Sequence, residues 1–163
     1  MIFTDLPEGF GKGPGIAKGL RIADDAWDFC GWAVVDNMFG LGDGSKVLPG
    51  AFDDDDMKFV PVVWAYQHND PNAILGNAIL EAKPGGIYCY GKFSKKSEVA
   101  KGCWQAIIDG RIRSLAIYAD DIKLDENKNV IKGNICEISL VYWDDQPEEY
   151  RDTVIEKWKE IIE

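Results

Sequence analysis

Residues 97–119 read S-E-V-A-K-G-C-W-Q-A-I-I-D-G-R-I-R-S-L-A-I-Y-A, and the hydrophobic period changes in the middle of them. From Ser97 to Asp109 the apolar residues fall at Ala100, Cys103, Trp104, Ile107 and Ile108, the three-four spacing of an amphipathic helix. Ser97 suits the cap at its start, and Gly110 suits the left-handed residue that closes its end. From Ile112 to Ala119 the period drops to two. Ser114, Ala116 and Tyr118 then share one face of a strand, and Leu115 and Ile117 share the other. The sheet interior takes Leu115 and Ile117, which leaves Ser114 and Ala116 facing a cleft.

Outward from this stretch the chain reads mostly as short strands. Asp28–Val35, Phe59–Gln67, Ile74–Leu80, Ile87–Phe93 and Ile135–Trp143 are rich in β-branched and aromatic residues. Pro61 lies near the start of its strand, where a missing N–H is tolerated. His68-Asn69-Asp70-Pro71, Lys83-Pro84-Gly85-Gly86 and Asp125–Asn129 are turns by composition, and Met38–Gly44 is a glycine-relaxed loop. Pro147–Glu163 is expected to be a second helix. Pro147, Glu148 and Glu149 suit its first turn, and Tyr150, Val154, Ile155, Trp158, Ile161 and Ile162 form one apolar stripe. That stripe covers the domain's own sheet or makes a homo-oligomer contact. Residues 1–20 read as a flexible glycine-rich leader. Residues 21–163 read as a single mainly β domain with flanking helices, an α+β fold.

The 163 residues suffice for a core without staples. No stretch approaches the roughly 18 uninterrupted apolar residues of a membrane span. Net charge is −10, with 28 acidic against 18 basic side chains, which disfavours nucleic acid and anionic lipid and favours basic partners. Cys30, Cys89, Cys103 and Cys136 are scattered singly, so with one histidine a zinc site has little support. They read as small, half-buried hydrophobes. No cofactor or metal is expected. The acidic run Asp53–Asp56 lacks the alternating ligands of a calcium loop and reads as a solvated loop. Gly9–Gly19 matches no complete phosphate-binding motif.

His68 is the only histidine, so imidazole chemistry must run through it. It stands where a strand meets a loop, which suits either a catalytic ring or a half-buried structural one. Glu137 sits within an apolar strand on the face of Ser139, opposite Ile138 and Leu140. A carboxylate there needs a partner: an imidazole, or else Arg111 or Arg113. Cys136 points away from the face of Glu137, which argues against a thiol nucleophile there.

Four segments in order resemble the prohead (capsid-maturation) serine proteases of tailed phages. They are Gly42–Phe52 (G-D-G-S-K-V-L-P-G-A-F), Val60–Gly76 (V-P-V-V-W-A-Y-Q-H-N-D-P-N-A-I-L-G), Gly110–Ala119 (G-R-I-R-S-L-A-I-Y-A) and Glu137–Val141 (E-I-S-L-V). The family has L-P-G-A-F, an apolar strand ending in Q-H, L-S-I, and E-V-S-L-V at these places. The resemblance covers roughly residues 20–145. It implies a closed or partly closed β-barrel similar to the herpesvirus maturation protease. It also implies a serine nucleophile, His68 as its base and Glu137 as the residue that orients the base. Backbone N–H groups around Arg111–Ser114 are candidates for the oxyanion site.

The departure falls at Ala116, where the family places the nucleophilic serine. A methyl group cannot attack a carbonyl, so the chain as written is expected to be inactive. Two accounts follow: a serine-to-alanine change that prevents self-digestion, or a naturally inactive capsid-assembly protein of the same fold. Ser114 is no substitute, since it stands about 6.6 Å along the strand from position 116. The activity implied by the resemblance is serine endopeptidase (hydrolase) cleavage of the scaffold, of the major coat protein's N-terminal region, and of the protease itself. Its place would be the assembling prohead in the host cytoplasm.

Overall fold

The computed structural model describes residues 22–39, 45–65 and 73–161. Seven strands and one helix make up its regular frame: β1 (Phe29–Val35), β2 (Phe59–Trp64), β3 (Ile74–Lys83), β4 (Gly86–Phe93), α1 (Glu98–Ile108), β5 (Ile112–Leu124), β6 (Val130–Tyr142) and β7 (Ile155–Trp158). The strands form one sheet in the order β5-β6-β2-β3-β4-β1-β7, curled into a half-barrel. All neighbours are antiparallel except β2 and β6, which run parallel. The fold is mainly β, as the alternation of the sequence implies. The expected strands are present, with β5 and β6 extended into a long hairpin around Asp125–Asn129, where Asp125 accepts the Asn127 and Asn129 N–H groups. The leader and the His68–Pro71 turn lie outside the described residues.

α1 starts and stops where its caps dictate. The Ser97 hydroxyl accepts the Ala100 N–H at 3.1 Å. At the other end Gly110 adopts φ +79°, Gly110 N–H donates to Ile107 and Arg111 N–H donates to Ala106, a Schellman closure. The helix buries Ala100, Cys103, Trp104 and Ile107. Trp104 stacks on Phe93 with centroids 5.5 Å apart, and Phe93 lies 5.3 Å from Phe29. These contacts join the helix to the concave side of the sheet, where Leu75, Leu80, Leu115, Ile138 and Leu140 are wholly buried. A smaller cluster of Cys30, Ile79, Tyr88 and Tyr90 occupies the other face, packed against Ile22 and Ala26.

The C-terminal segment corrects the sequence expectation. Residues 147–163 were expected to form a helix, yet Glu148–Tyr150 is a single 3-10 turn and Ile155–Trp158 is strand β7 on the edge of the sheet. The β-branched run Thr153-Val154-Ile155 favours an extended backbone, and two strands compete to pair with it. β1 takes β7, with Gly31 opposite Ile155 and Phe29 opposite Trp158. β5 takes the residues just before: Leu115 N–H donates to the Thr153 carbonyl at 2.9 Å, the Thr153 hydroxyl donates to the Leu115 carbonyl, and Ser114 bridges Val154. The segment thereby ties together the two ends of the curl. The apolar stripe dissolves: Ile155 is buried, Trp158 is 45% exposed, and Ile162 lies outside the described residues. Among the described residues the segment therefore presents no helical surface, the feature that suggested a homo-oligomer contact.

Gly31 permits this closure. A Cβ there would collide with the Val154 carbonyl oxygen, which accepts the neighbouring Trp32 N–H at 3.0 Å. Gly31→Ala is expected to destabilise the fold by about 1–3 kcal/mol, the usual cost of overpacking. It should also deprotect the Trp32 and Leu115 amides in hydrogen exchange. An unchanged urea midpoint with unchanged protection would contradict this closure.

Candidate functional site

The site is built on three adjacent strands whose register is fixed by their apolar faces. Leu115, Ile138, Leu140 and Val62 point into the core, so the alternating residues of β5, β6 and β2 share the opposite face. On that face Ala116 stands directly across from Ser139, and Ser139 is level with Val63 of β2. One step along, Tyr118 faces Glu137; one step back, Ser114 faces Val141. Ala116 and Glu137 are thus diagonal neighbours on one face, a relation that sets residues about 7–8 Å apart, with their Cβ atoms somewhat closer. Beyond β2, the Ala65 N–H donates to the Leu140 carbonyl at 3.0 Å. His68 lies outside the described residues.

Burial on this face is uneven. Ser114 and Ser139 are 0% exposed and Glu137 8%, whereas Ala116 is only half-buried. The hydroxyl oxygens of Ser114 and Ser139 have no hydrogen-bond partner among the described residues. A buried hydroxyl without a partner costs on the order of 1–3 kcal/mol, and here two of them flank position 116, one across the ladder and one along the strand.

Arg111 and Arg113, the alternative partners for Glu137, are engaged at the far end of the hairpin. Arg111 pairs with Asp109 at 3.4 Å, and the Arg113 guanidinium lies 5.9 Å from the Trp143 ring centroid. The register sets them beside Tyr142 and Val141, roughly 15 Å along β6 from Glu137. The same region was the sequence candidate for oxyanion donors, and part of it is already spent. Arg111 N–H closes α1, and Leu115 N–H, one residue beyond it, is bound to Thr153.

Ala116 opens onto a cleft of about 350 Å³. Its aliphatic lining comes from Ala33 of β1, Met38, and Leu115 and Ile117 of β5, and Phe39 and Tyr150, edge-on to each other at 6.3 Å, also line it. The remaining wall is the turn 146–153, including Glu149, Asp152 and Thr153. Sequence reasoning missed this wall because it assigned the segment to a helix. The turn is held by Arg151, whose side chain donates to the Gln146 carbonyl at 2.9 Å and the Trp143 carbonyl at 3.0 Å. Leu115 spends its N–H and carbonyl on Thr153, away from β6, so by strand alternation Ile117 presents its own N–H and carbonyl toward the same side.

Other candidate chemistry resolves into structure. Asp55, expected in a solvated loop, is buried and accepts the Ile135 N–H at 2.9 Å, while Asp56 accepts the Ala82 N–H at 2.8 Å. These carboxylates anchor β6 and β3. No cluster of three metal-ligating side chains occurs among the described residues. The Cys136 thiol is held above its ordinary value by burial first and then by its hydrogen bond to Asp120, and burial lifts Cys103 to about 11. Neither is disposed to ionise as a nucleophile.

No family model, curated protein or solved structure matches the chain. The site's own geometry therefore carries the functional argument.

That geometry makes a stability prediction. Ser139→Ala removes a hydroxyl with no partner and is expected to leave stability unchanged or slightly raised. In an Ala116→Ser background the two hydroxyls face each other across the ladder, and Ser139→Ala should then cost about 1 kcal/mol. A double-mutant cycle in urea with zero coupling would show that position 116 does not address Ser139.

Proposed function

We propose that this chain is the protease domain of a tailed-phage capsid-maturation system, of the herpesvirus-protease barrel type, with its nucleophile position held by Ala116. One observation supports this most. Half-buried Ala116 is one of the residues lining a cleft, and across the ladder it stands opposite Ser139, whose buried hydroxyl has no partner among the described residues, on the face that carries Glu137. A serine at 116 fits that environment better than the alanine does. It would reach the cleft, and its oxygen would partner a buried hydroxyl.

With serine at 116 the chemistry is acyl transfer. The Oγ attacks the scissile carbonyl carbon while the His68 imidazole takes its proton. The tetrahedral intermediate collapses as His68 passes that proton to the leaving amine, which releases one product. Water then attacks the acyl ester with His68 again as base, freeing the second product and the serine. Glu137 holds the ring in its working tautomer and stabilises the imidazolium. The Ile117 N–H is the first candidate to donate to the oxyanion, since it points to the cleft side. The substrates in this reading are the scaffold, the N-terminal region of the major coat protein and the chain itself, inside the assembling prohead in the host cytoplasm.

A second reading has the sequence itself behind it: Ala116 cannot form an acyl ester. On that reading the chain is a non-enzymatic assembly protein that uses the same cleft to bind scaffold or coat protein.

Ala116→Ser separates the two. On the protease reading it generates fragments of the chain or of its cognate scaffold, with a rate that rises with pH as the imidazole loses its proton. His68→Ala in that background abolishes cleavage, and Glu137→Gln lowers it at least about a hundredfold. A folded Ala116→Ser protein that cuts neither itself nor the scaffold under assembly conditions would establish the binding-protein reading instead.

A further inference from the structure

The cleft beside Ala116 has an asymmetric lining. Its floor is aliphatic, and the turn that walls it is acidic. Between residues 144 and 153 the chain carries Asp144, Asp145, Glu148, Glu149 and Asp152 against one base, Arg151. Glu149 and Asp152 line the cleft itself. The base does not neutralise them there, because Arg151 is turned back onto its own segment. Its guanidinium donates to the carbonyls of Gln146 and Trp143 and lies 4.7 Å from the centroid of the Trp143 ring. The cleft thus combines an aliphatic floor, the edge-on Phe39–Tyr150 pair and two carboxylates, with no lysine or arginine among the described residues that line it.

These features fit one kind of occupant. A side chain with a long aliphatic stem and a cationic tip buries its stem on the floor and presents its charge to carboxylates and ring faces. A carboxylate tip would meet Glu149 and Asp152 as like charges. A purely aliphatic chain would leave them without a counter-charge. The net charge of −10 acts in the same direction over a longer range, drawing basic segments toward the molecule. The Ile117 backbone groups on the cleft side offer hydrogen bonds to an extended main chain, which would carry such a side chain in.

We infer that this cleft takes a lysine or arginine side chain of an extended polypeptide, so that a basic residue beside the scissile bond directs the site proposed above. The inference rests on reading the cleft as the place where polypeptide binds, and it is tested without chemistry. The full chain, with Ala116 in place, is titrated with blocked pentapeptides Ala-Ala-X-Ala-Ala in which X is lysine, norleucine or glutamate. Binding is followed by the amide resonances of Phe39, Ile117 and Tyr150. The lysine peptide is expected to bind about fivefold more tightly than the norleucine peptide, the scale of two partly solvated ion pairs. The glutamate peptide should bind more weakly than either. The Glu149→Gln/Asp152→Asn double variant, with its urea midpoint checked against the parent, should reduce the lysine peptide to the norleucine level.

Equal binding of the lysine and norleucine peptides, or no response of these resonances to any peptide, would overturn the inference. The outcome is separable from that of the catalytic reading. Lysine preference with an Ala116→Ser protein that cuts nothing would keep the cleft as a basic-peptide site and remove the protease. Cleavage by Ala116→Ser beside uncharged residues, without lysine preference, would keep the protease and remove this specificity.

Discussion

The architecture depends on a backbone contact that only a glycine allows. At Gly31 the C-terminal segment comes so close to β1 that the Val154 carbonyl occupies the space of a side chain. Trp32 N–H then donates to that carbonyl from one side, while Leu115 N–H holds Thr153 from the other. Three consecutive residues thus connect the first strand of the fold to the edge of the β5–β6 hairpin. The curl of the sheet, the position of β7 and the acidic wall of the cleft all follow from that junction. Without it Ala116 would sit on an open sheet edge rather than in a recess.

This dependence also separates what could be read in the sequence from what could not. The strands around Val60, Ala78, Tyr90 and Leu115, and the helix between Ser97 and Gly110, were legible because their determinants are local: alternation, β-branching and caps. The C-terminal segment was misread because its apolar residues at 150, 154, 155, 158, 161 and 162 satisfy the helical period, while its true partner is a glycine more than a hundred residues earlier. The run Thr153-Val154-Ile155 was the one local sign of a strand. Asp55 was misread for a similar reason. Nothing near it in sequence announces that its carboxylate accepts the amide of Ile135, 80 residues away.

At the site, strand parity carried further than composition. It set Ala116 and Glu137 each on the non-core face of its own strand, and the β5–β6 register then made them diagonal neighbours on one common face. The sequence could not reveal that Ser139 lies opposite Ala116 with its hydroxyl unused, since cross-strand register is a tertiary property. Nor could it reveal the cleft, half of which comes from the misassigned segment. Position 116 thus lies beside two buried hydroxyls that have no hydrogen-bond partner among the described residues, an arrangement that supports the proposed serine there.

The central claim is that position 116 belongs to a serine acyl-transfer centre. It is tested most directly by an electrophile that needs no knowledge of the natural substrate. The Ala116→Ser protein is treated with a fluorophosphonate, and the adduct is located by peptide mass mapping. The account predicts a single adduct at position 116, absent from the parent chain and absent when His68→Ala is added. A folded Ala116→Ser protein that takes no label, or takes it at Ser114 or Ser139 instead, would contradict the account.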